Sequence, residues 1–65
     1  MGFTNRLKEY RLKRGLTQEG LSKKSNVSRA TIAGIESGAI STTTTDTLLK
    51  LSNALKVPVG RIFFT

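Results

Sequence analysis

The 65-residue chain contains no cysteine, no histidine and no tryptophan. Without cysteine it can form neither disulfides nor thiolate metal sites, and without histidine it lacks the commonest metal ligand and general base. Only four residues are acidic, and their spacing is not that of a paired-carboxylate or metal site. We therefore expect no enzyme, no metal and no cofactor.

The chain also lacks a run of about 18 apolar residues and the apolar region of a signal peptide. We expect no membrane segment and a soluble, cytoplasmic protein. The hydrophobic fraction of 37% is too high for a disordered basic tail. At this length we expect one domain over residues 1–65, whose small core rests on packing alone or on packing with a second subunit.

Positive charge is abundant and unevenly placed. There are 11 Lys and Arg against 4 Asp and Glu, which gives a formal net charge of +7. Residues 1–32 hold eight basic and two acidic residues, whereas residues 33–65 hold three and two. A one-sided positive field suits a polyanion, because neutralised phosphates release counterions. A solvated basic face that only keeps the protein in solution would have the same composition.

Turn residues are closely spaced along the chain, and no segment alternates with a period of two. The pattern predicts an all-α bundle of about five short helices. Thr17 and Ser28 are the predicted N-caps of the second and third helices. The expected helices span about 5–14, 17–25, 28–37 and 45–55, with a last short helix after Pro58.

The stretch from Thr17 to Glu36 has the spacing of two helices that cross through a tight turn. Such a pair needs a small residue where the axes approach, a residue that tolerates positive φ at the turn, and apolar anchors under the second helix. Ser22 and Asn26 meet the first two needs. An ordinary two-helix hairpin in a small bundle is the alternative. The candidate anchors are Val27, Ile32 and Ile35.

Motifs over about residues 5–63 share their spacing with one known family. The motifs are Leu7-x-x-Tyr10-Arg11, Gly15-Leu16-Thr17-Gln18-x-x-Leu21-Ser22, Asn26-Val27-Ser28-x-x-x-Ile32-x-x-Ile35-Glu36-x-Gly38, Thr47-Leu48-Leu49-x-Leu51-Ser52-x-Ala54-Leu55-x-Val57 and Ile62-Phe63. Through them the chain resembles the helix-turn-helix family of lambda repressor and Cro. The resemblance implies a homodimeric transcriptional regulator, most simply a repressor, that reads a palindromic operator in double-stranded DNA without a small-molecule ligand. An antitoxin or adaptor of the same fold and a non-specific polyanion or membrane-surface binder are the alternatives.

The resemblance also makes the helix over about 28–37 the recognition helix, lying in the major groove. Arg29 is the strongest candidate for base reading, because a guanidinium can bond guanine O6 and N7. Ala30 can contact a thymine methyl. A phosphate contact without sequence information is the alternative for Arg29. The implied groove-facing residues are Ser28, Arg29, Ala30, Thr31 and Gly34.

Phosphate contacts are expected at the start of the second helix and in the loop after Gly38, where helix N–H groups and hydroxyls suit an anion. This loop is one residue longer than the common family spacing, and a plain spacer is the alternative. The resemblance also implies an internal ion pair between Arg11 and Glu36 that joins the first helix to the end of the recognition helix. The expected phosphate contacts are Thr17, Gln18, Lys23, Ser41, Thr42 and Thr43.

The segment over about 57–65 ends in two adjacent aromatics that cannot both face one small core from a single helical turn. We expect Ile62 and Phe63 to point mainly inward and Phe64 to join an isologous dimer patch. A frayed, exposed terminus is the alternative. The candidate dimer-interface residues are Leu49, Val59, Phe63 and Phe64.

Overall fold

Five short α-helices form the protein in a computed structural model that describes residues 5–40 and 44–63. Within these ranges the chain contains no strand, so the predicted all-α architecture is confirmed. The helices are α1 (Leu7–Lys13), α2 (Gln18–Ser25), α3 (Arg29–Ser37), α4 (Thr45–Leu55) and α5 (Val59–Phe63).

The ends of α2 and α3 follow the local signals in the sequence. Thr17 Oγ1 accepts the N–H of Gly20 at 2.9 Å, so Thr17 is the N-cap of α2. Asn26 ends α2 in the left-handed region with φ 62°, and Gly38 ends α3 with φ 84°. Asparagine and glycine tolerate this conformation best, which is why the chain can reverse at both points.

Helix α1 begins at Leu7 rather than at Asn5. The Asn5 side chain lies just before the helix and forms two hydrogen bonds there. Its Oδ1 accepts the N–H of Leu7 at 2.9 Å, and its Nδ2 donates to the carbonyl of Ile35 at 3.0 Å. One amide thus satisfies a donor at the start of α1 and an acceptor near the end of α3. The first helix is shorter than predicted, and its start is joined to α3.

The end of α4 contains two features that the sequence pattern did not predict. Lys56 adopts a left-handed conformation with φ 58°, which is uncommon for a side chain of this type. Arg14 Nε, from the end of α1, donates to the carbonyl of Leu55 at 2.8 Å. A cation at a helix C-terminus satisfies a carbonyl and complements the negative end of the helix dipole. Arg14, one of the eight basic residues of the N-terminal half, therefore caps the C-terminus of α4.

The core is built from the inward faces of all five helices and the turn between α2 and α3. Helix α4 packs against α2 and α5, while α1 packs against α3 and α5. The predicted anchors Ile32 and Ile35 are completely buried, and Val27 is 7% exposed. Each buried aliphatic side chain contributes about 1.5–3 kcal/mol to folding. The buried apolar residues are Leu7, Leu21, Val27, Ile32, Ile35, Leu51, Leu55, Ile62 and Phe63.

Candidate nucleic-acid interface

The outward face of α3 begins with exposed residues of its first turn. Because Ile32 and Ile35 fix the inward face, Arg29 and Ala30 point to solvent, as the structure shows. Together with Gln18 of α2 and Ala33 of α3, they line a shallow concavity of about 290 Å³. Ala33 was missed by the sequence reasoning, although its position one turn after Arg29 puts the two on the same helix face.

The hydroxyls of Ser28 and Thr31 bond to each other at the start of α3. Ser28 Oγ accepts the backbone N–H of Thr31 at 3.2 Å and donates to Thr31 Oγ1 at 2.8 Å. The Ser28 hydroxyl is therefore engaged as an N-cap, and its value to the helix is about 1 kcal/mol. Thr31 keeps its own hydroxyl hydrogen as a donor, so it is the better placed of the two for an outside partner.

Gly34 lies on the outward face of α3 but is only half-exposed. A Cβ at this position would lie 2.7 Å from Ile40 Cγ1 and still closer to Ile40 Cδ1. The N–H of Ile40 also donates to the carbonyl of Gly34 at 3.0 Å. The side chain of Ile40 therefore covers part of Gly34, and the expectation that Gly34 reads a base stays a prediction. Glycine is needed here for the close approach of a loop.

A second concavity, of about 340 Å³, lies beside the first at the start of α2. The first N–H groups of a helix and the positive end of its dipole favour an anion. Thr17 and Gln18 lie at this start, and the side chain of Arg29 reaches the same concavity from α3. The lining residues are Arg11, Thr17, Gln18, Glu19 and Arg29.

Arg11 and Glu36 form an ion pair beneath this surface. Arg11 Nε donates to Glu36 Oε2 at 2.7 Å and Nη2 donates to Oε1 at 3.1 Å, while the two side chains are 9% and 5% exposed. Arg11 Nη1 also donates to the carbonyl of Leu16 at 2.8 Å. The hydrogen bond and the charge of Glu36 raise the pKa of Arg11 above its ordinary value, against the opposite effect of burial. The guanidinium therefore stays charged, and its three nitrogens all donate to groups within the protein.

Gln18 joins this pair to the surface. Its Nε2 donates to Glu36 Oε1 at 3.2 Å, so one carboxylate holds side chains from both α1 and α2. Gln18, one of the expected phosphate contacts, is thus oriented by the carboxylate of Glu36 in α3. The second hydrogen of its amide remains available as a donor. The side chain of Lys23 is 79% exposed, and its Nζ lies 3.9 Å from Glu19 Oε1. The other expected contacts, Ser41, Thr42 and Thr43, lie outside the described residues.

The expected dimer patch is only partly on the surface. Leu49 is 47% exposed, and Val59 is half-buried against the core. Phe63 is 3% exposed and belongs to the core of its own chain. This burial contradicts its assignment to the dimer interface. The burial of Phe63 is consistent with the packing of α5 against both α1 and α4. Phe64 lies outside the described residues.

Residues 5–40 and 44–63 contain neither a candidate metal cluster nor a candidate membrane span. No group of three or more acidic residues in these ranges could hold a metal ion. None of their helices is long and apolar enough to cross a membrane.

The sequence that forms the five helices matches a known family. A family model described as helix-turn-helix covers residues 7–62. The chain belongs to the helix-turn-helix family. It is of the lambda-repressor-like type, whose members are DNA-binding transcriptional regulators, so the motif resemblance in the sequence is confirmed.

Solved structures of regulators in this family share the fold. The restriction-modification controller protein C.AhdI from Aeromonas hydrophila is 34% identical with a TM-score of 0.80, over 86% of this chain and 83% of that one. SinR, a master regulator for biofilm formation solved in complex with DNA, is 30% identical with a TM-score of 0.81, over 83% and 86%. The N-terminal DNA binding domain of SinR from Bacillus subtilis is 30% identical with a TM-score of 0.80, over 83% and 78%. No curated protein matches the chain.

Proposed function

We propose that this helix-turn-helix protein binds double-stranded DNA in a sequence-specific manner, as a homodimer on a palindromic operator, and represses transcription by occupying a promoter. One observation carries the proposal. Arg29, in the exposed first turn of α3, shares a concave surface with Gln18, in the first turn of α2. This surface combines a base-reading cation with a helix start that suits a phosphate. A protein with this role acts in the cytoplasm, where bacterial DNA lies.

In the proposed complex, α3 lies in the major groove with its first turn toward the base edges. Arg29 donates two hydrogen bonds to guanine O6 and N7, and Ala30 contacts a thymine methyl. Thr31 donates its hydroxyl hydrogen to a base edge or a phosphate, and the Ser28 cap fixes that hydroxyl. In this proposal Ser28 contributes to base recognition only indirectly, by orienting the hydroxyl of Thr31.

The phosphate contacts position the protein on the duplex without reading sequence. Thr17 and Gln18 hold one phosphate at the start of α2, and the exposed Lys23 neutralises another. The hydroxyls of Ser41, Thr42 and Thr43 are the proposed contacts from the part of the sequence that precedes α4. These contacts make the affinity fall as salt rises, because each neutralised phosphate releases counterions.

A homodimer would place two recognition helices about 34 Å apart, one turn of DNA. Exposure supports Leu49 as a member of the interface, and Val59 and Phe64 are the proposed neighbours. Sedimentation tests this proposal with Leu49→Ser, which should give monomer where the wild type gives dimer. Leu12→Ser is the matched control, because Leu12 is also a large hydrophobic residue on the surface, 58% exposed. An unchanged mass for Leu49→Ser would refute this interface.

Sequence specificity is tested by selecting duplexes from a random pool and measuring their affinity by fluorescence anisotropy over a range of salt. Arg29→Ala should cost about 1–3 kcal/mol on the best duplex and relax the preference at one base pair. Arg6→Ala is the matched control. It removes the same charge from the start of α1, where the N–H of Arg6 donates to the carbonyl of Ile62 in α5.

Each outcome of this experiment has a defined meaning. Arg6→Ala should weaken binding slightly and equally on every duplex. Equal losses on all duplexes for Arg29→Ala would make Arg29 a phosphate contact. Absence of any preferred duplex at about 150 mM salt would refute sequence-specific binding, because only the electrostatic component would remain.

A further inference from the structure

The outward face of α3 is extended by a residue from outside the helix. Gly34 lies one turn after Ala30 and three residues before Ser37, and both of these are exposed. Helical spacing therefore places Gly34 on the outward face. Gly34 is nevertheless half-buried, since Ile40 Cγ1 would lie only 2.7 Å from a Cβ at this position. The side chain of Ile40 thus occupies the space that a side chain at position 34 would fill.

Backbone and side-chain bonds fix Ile40 at this position. Its N–H donates to the carbonyl of Gly34 at 3.0 Å, and the same carbonyl accepts the hydroxyl of Ser37 at 3.2 Å. Ser37 Oγ also accepts the N–H of Ala39 at 3.3 Å. On its inner side Ile40 packs against the core, and its exposure is intermediate. One side of the isoleucine is therefore anchored while the other remains on the surface of the recognition helix.

We infer that Ile40 is a specificity-determining residue that presents its methyl groups to the C5-methyl of a pyrimidine in the major groove. The inference rests on the proposed function of α3. Isoleucine has no donor or acceptor, and the C5-methyl is the one apolar group on a base edge that this groove exposes. Thymine and 5-methylcytosine both carry it. Gly34, which Ile40 covers, lies about 6 Å along α3 from Ala30 by helical rise, which is more than one base-pair step. Ile40 is therefore expected to read a different base pair from Ala30.

The experiment uses the best duplex selected by the wild-type protein and replaces each thymine in turn with deoxyuridine, which removes only the methyl. At one position in each half-site the wild type should lose about fourfold in affinity, the value of one buried methyl group. Ile40→Ala should bind thymine and deoxyuridine equally at that position. Leu12→Ala is the matched control, because it shortens an exposed aliphatic residue of α1, and it should keep the wild-type discrimination.

The two sources of the methyl are distinguished at the same position with cytosine and 5-methylcytosine. Tighter binding of the methylated base by the wild type, but not by Ile40→Ala, would show that the methyl is read from either base. A response to thymine alone would restrict the reading to that base. Ile40→Val, which keeps the β-branch and removes only Cδ1, is the variant used if Ile40→Ala does not fold.

Two results would overturn the inference. If the wild type is indifferent to deoxyuridine at every thymine, or if Ile40→Ala or the folded Ile40→Val discriminates as well as the wild type, Ile40 does not read the methyl. In both cases a preferred duplex exists and the proposed function stands. Absence of any preferred duplex would instead refute the proposed function, and the inference with it.

Discussion

The contact between Gly34 and Ile40 predicts an unusual response to a glycine-to-alanine substitution. In a helix interior this change normally stabilises by up to about 1 kcal/mol, because glycine loses more backbone entropy on folding. At position 34 the new Cβ would lie 2.7 Å from Ile40 Cγ1, so Ile40 must move. Overpacking of this kind costs about 1–3 kcal/mol. We expect Gly34→Ala to lower the free energy of unfolding by about 0–3 kcal/mol.

The matched control is Gly60→Ala in α5, where a Cβ meets no atom within 4 Å. This variant should be neutral or stabilised by up to about 1 kcal/mol. The cause is tested by repeating Gly34→Ala in an Ile40→Ala background, where the obstacle is gone and the substitution should become stabilising. The coupling between positions 34 and 40 should therefore be about 1–3 kcal/mol.

Thermal unfolding followed by circular dichroism measures these differences, because 1 kcal/mol shifts the midpoint by about 4–8 °C in a domain of this size. The reasoning is refuted if Gly34→Ala raises the midpoint as much as Gly60→Ala does. It is also refuted if the effect of Gly34→Ala is the same with and without Ile40.

Two further stability predictions concern the ion pair and the turn. Glu36→Ala should lower the free energy of unfolding by about 3–5 kcal/mol in urea titrations at neutral pH, since it leaves the Arg11 guanidinium buried without its carboxylate; a loss below about 1 kcal/mol would show an exposed pair. Since the pKa of Arg11 is raised, its contribution is lost only as pH rises through that raised value, so moderate alkali should not remove it. Asn26→Ala should cost about 1–2 kcal/mol in thermal melts, because φ is 62° there, while Asn26→Gly should cost nothing; equal effects would contradict the turn argument.

The parts of the fold that sequence analysis predicted are those set by neighbouring residues. Thr17 and Ser28 cap helices through hydrogen bonds that span three residues, and Asn26 turns the chain by its own backbone preference. Ile32 and Ile35 are three residues apart on one helix face, so their burial follows from periodicity. Such signals are visible in the sequence because cause and effect lie within one helical turn.

The parts that were missed depend on contacts between distant segments. Helical periodicity correctly placed Gly34 on the outward face, but it contains no information about a loop that returns over the helix. In the same way, nothing near Arg14 indicates that its guanidinium reaches Leu55, 41 residues further on. Burial of Phe63 was expected, and its additional assignment to a dimer interface was wrong because one face of a short helix cannot serve both.

The bond between Gln18 and Glu36 has a consequence for the thermodynamics of binding. Immobilising a flexible side chain at an interface costs about 0.5–1.5 kcal/mol in entropy. Gln18 bears this cost when the protein folds, because Glu36, itself fixed by Arg11, already holds its amide. Since the carboxylate belongs to α3 and the amide to α2, the two helices of the proposed DNA interface meet a ligand as one preorganised body. The free energy gained on contact is then not reduced by ordering this part of the surface.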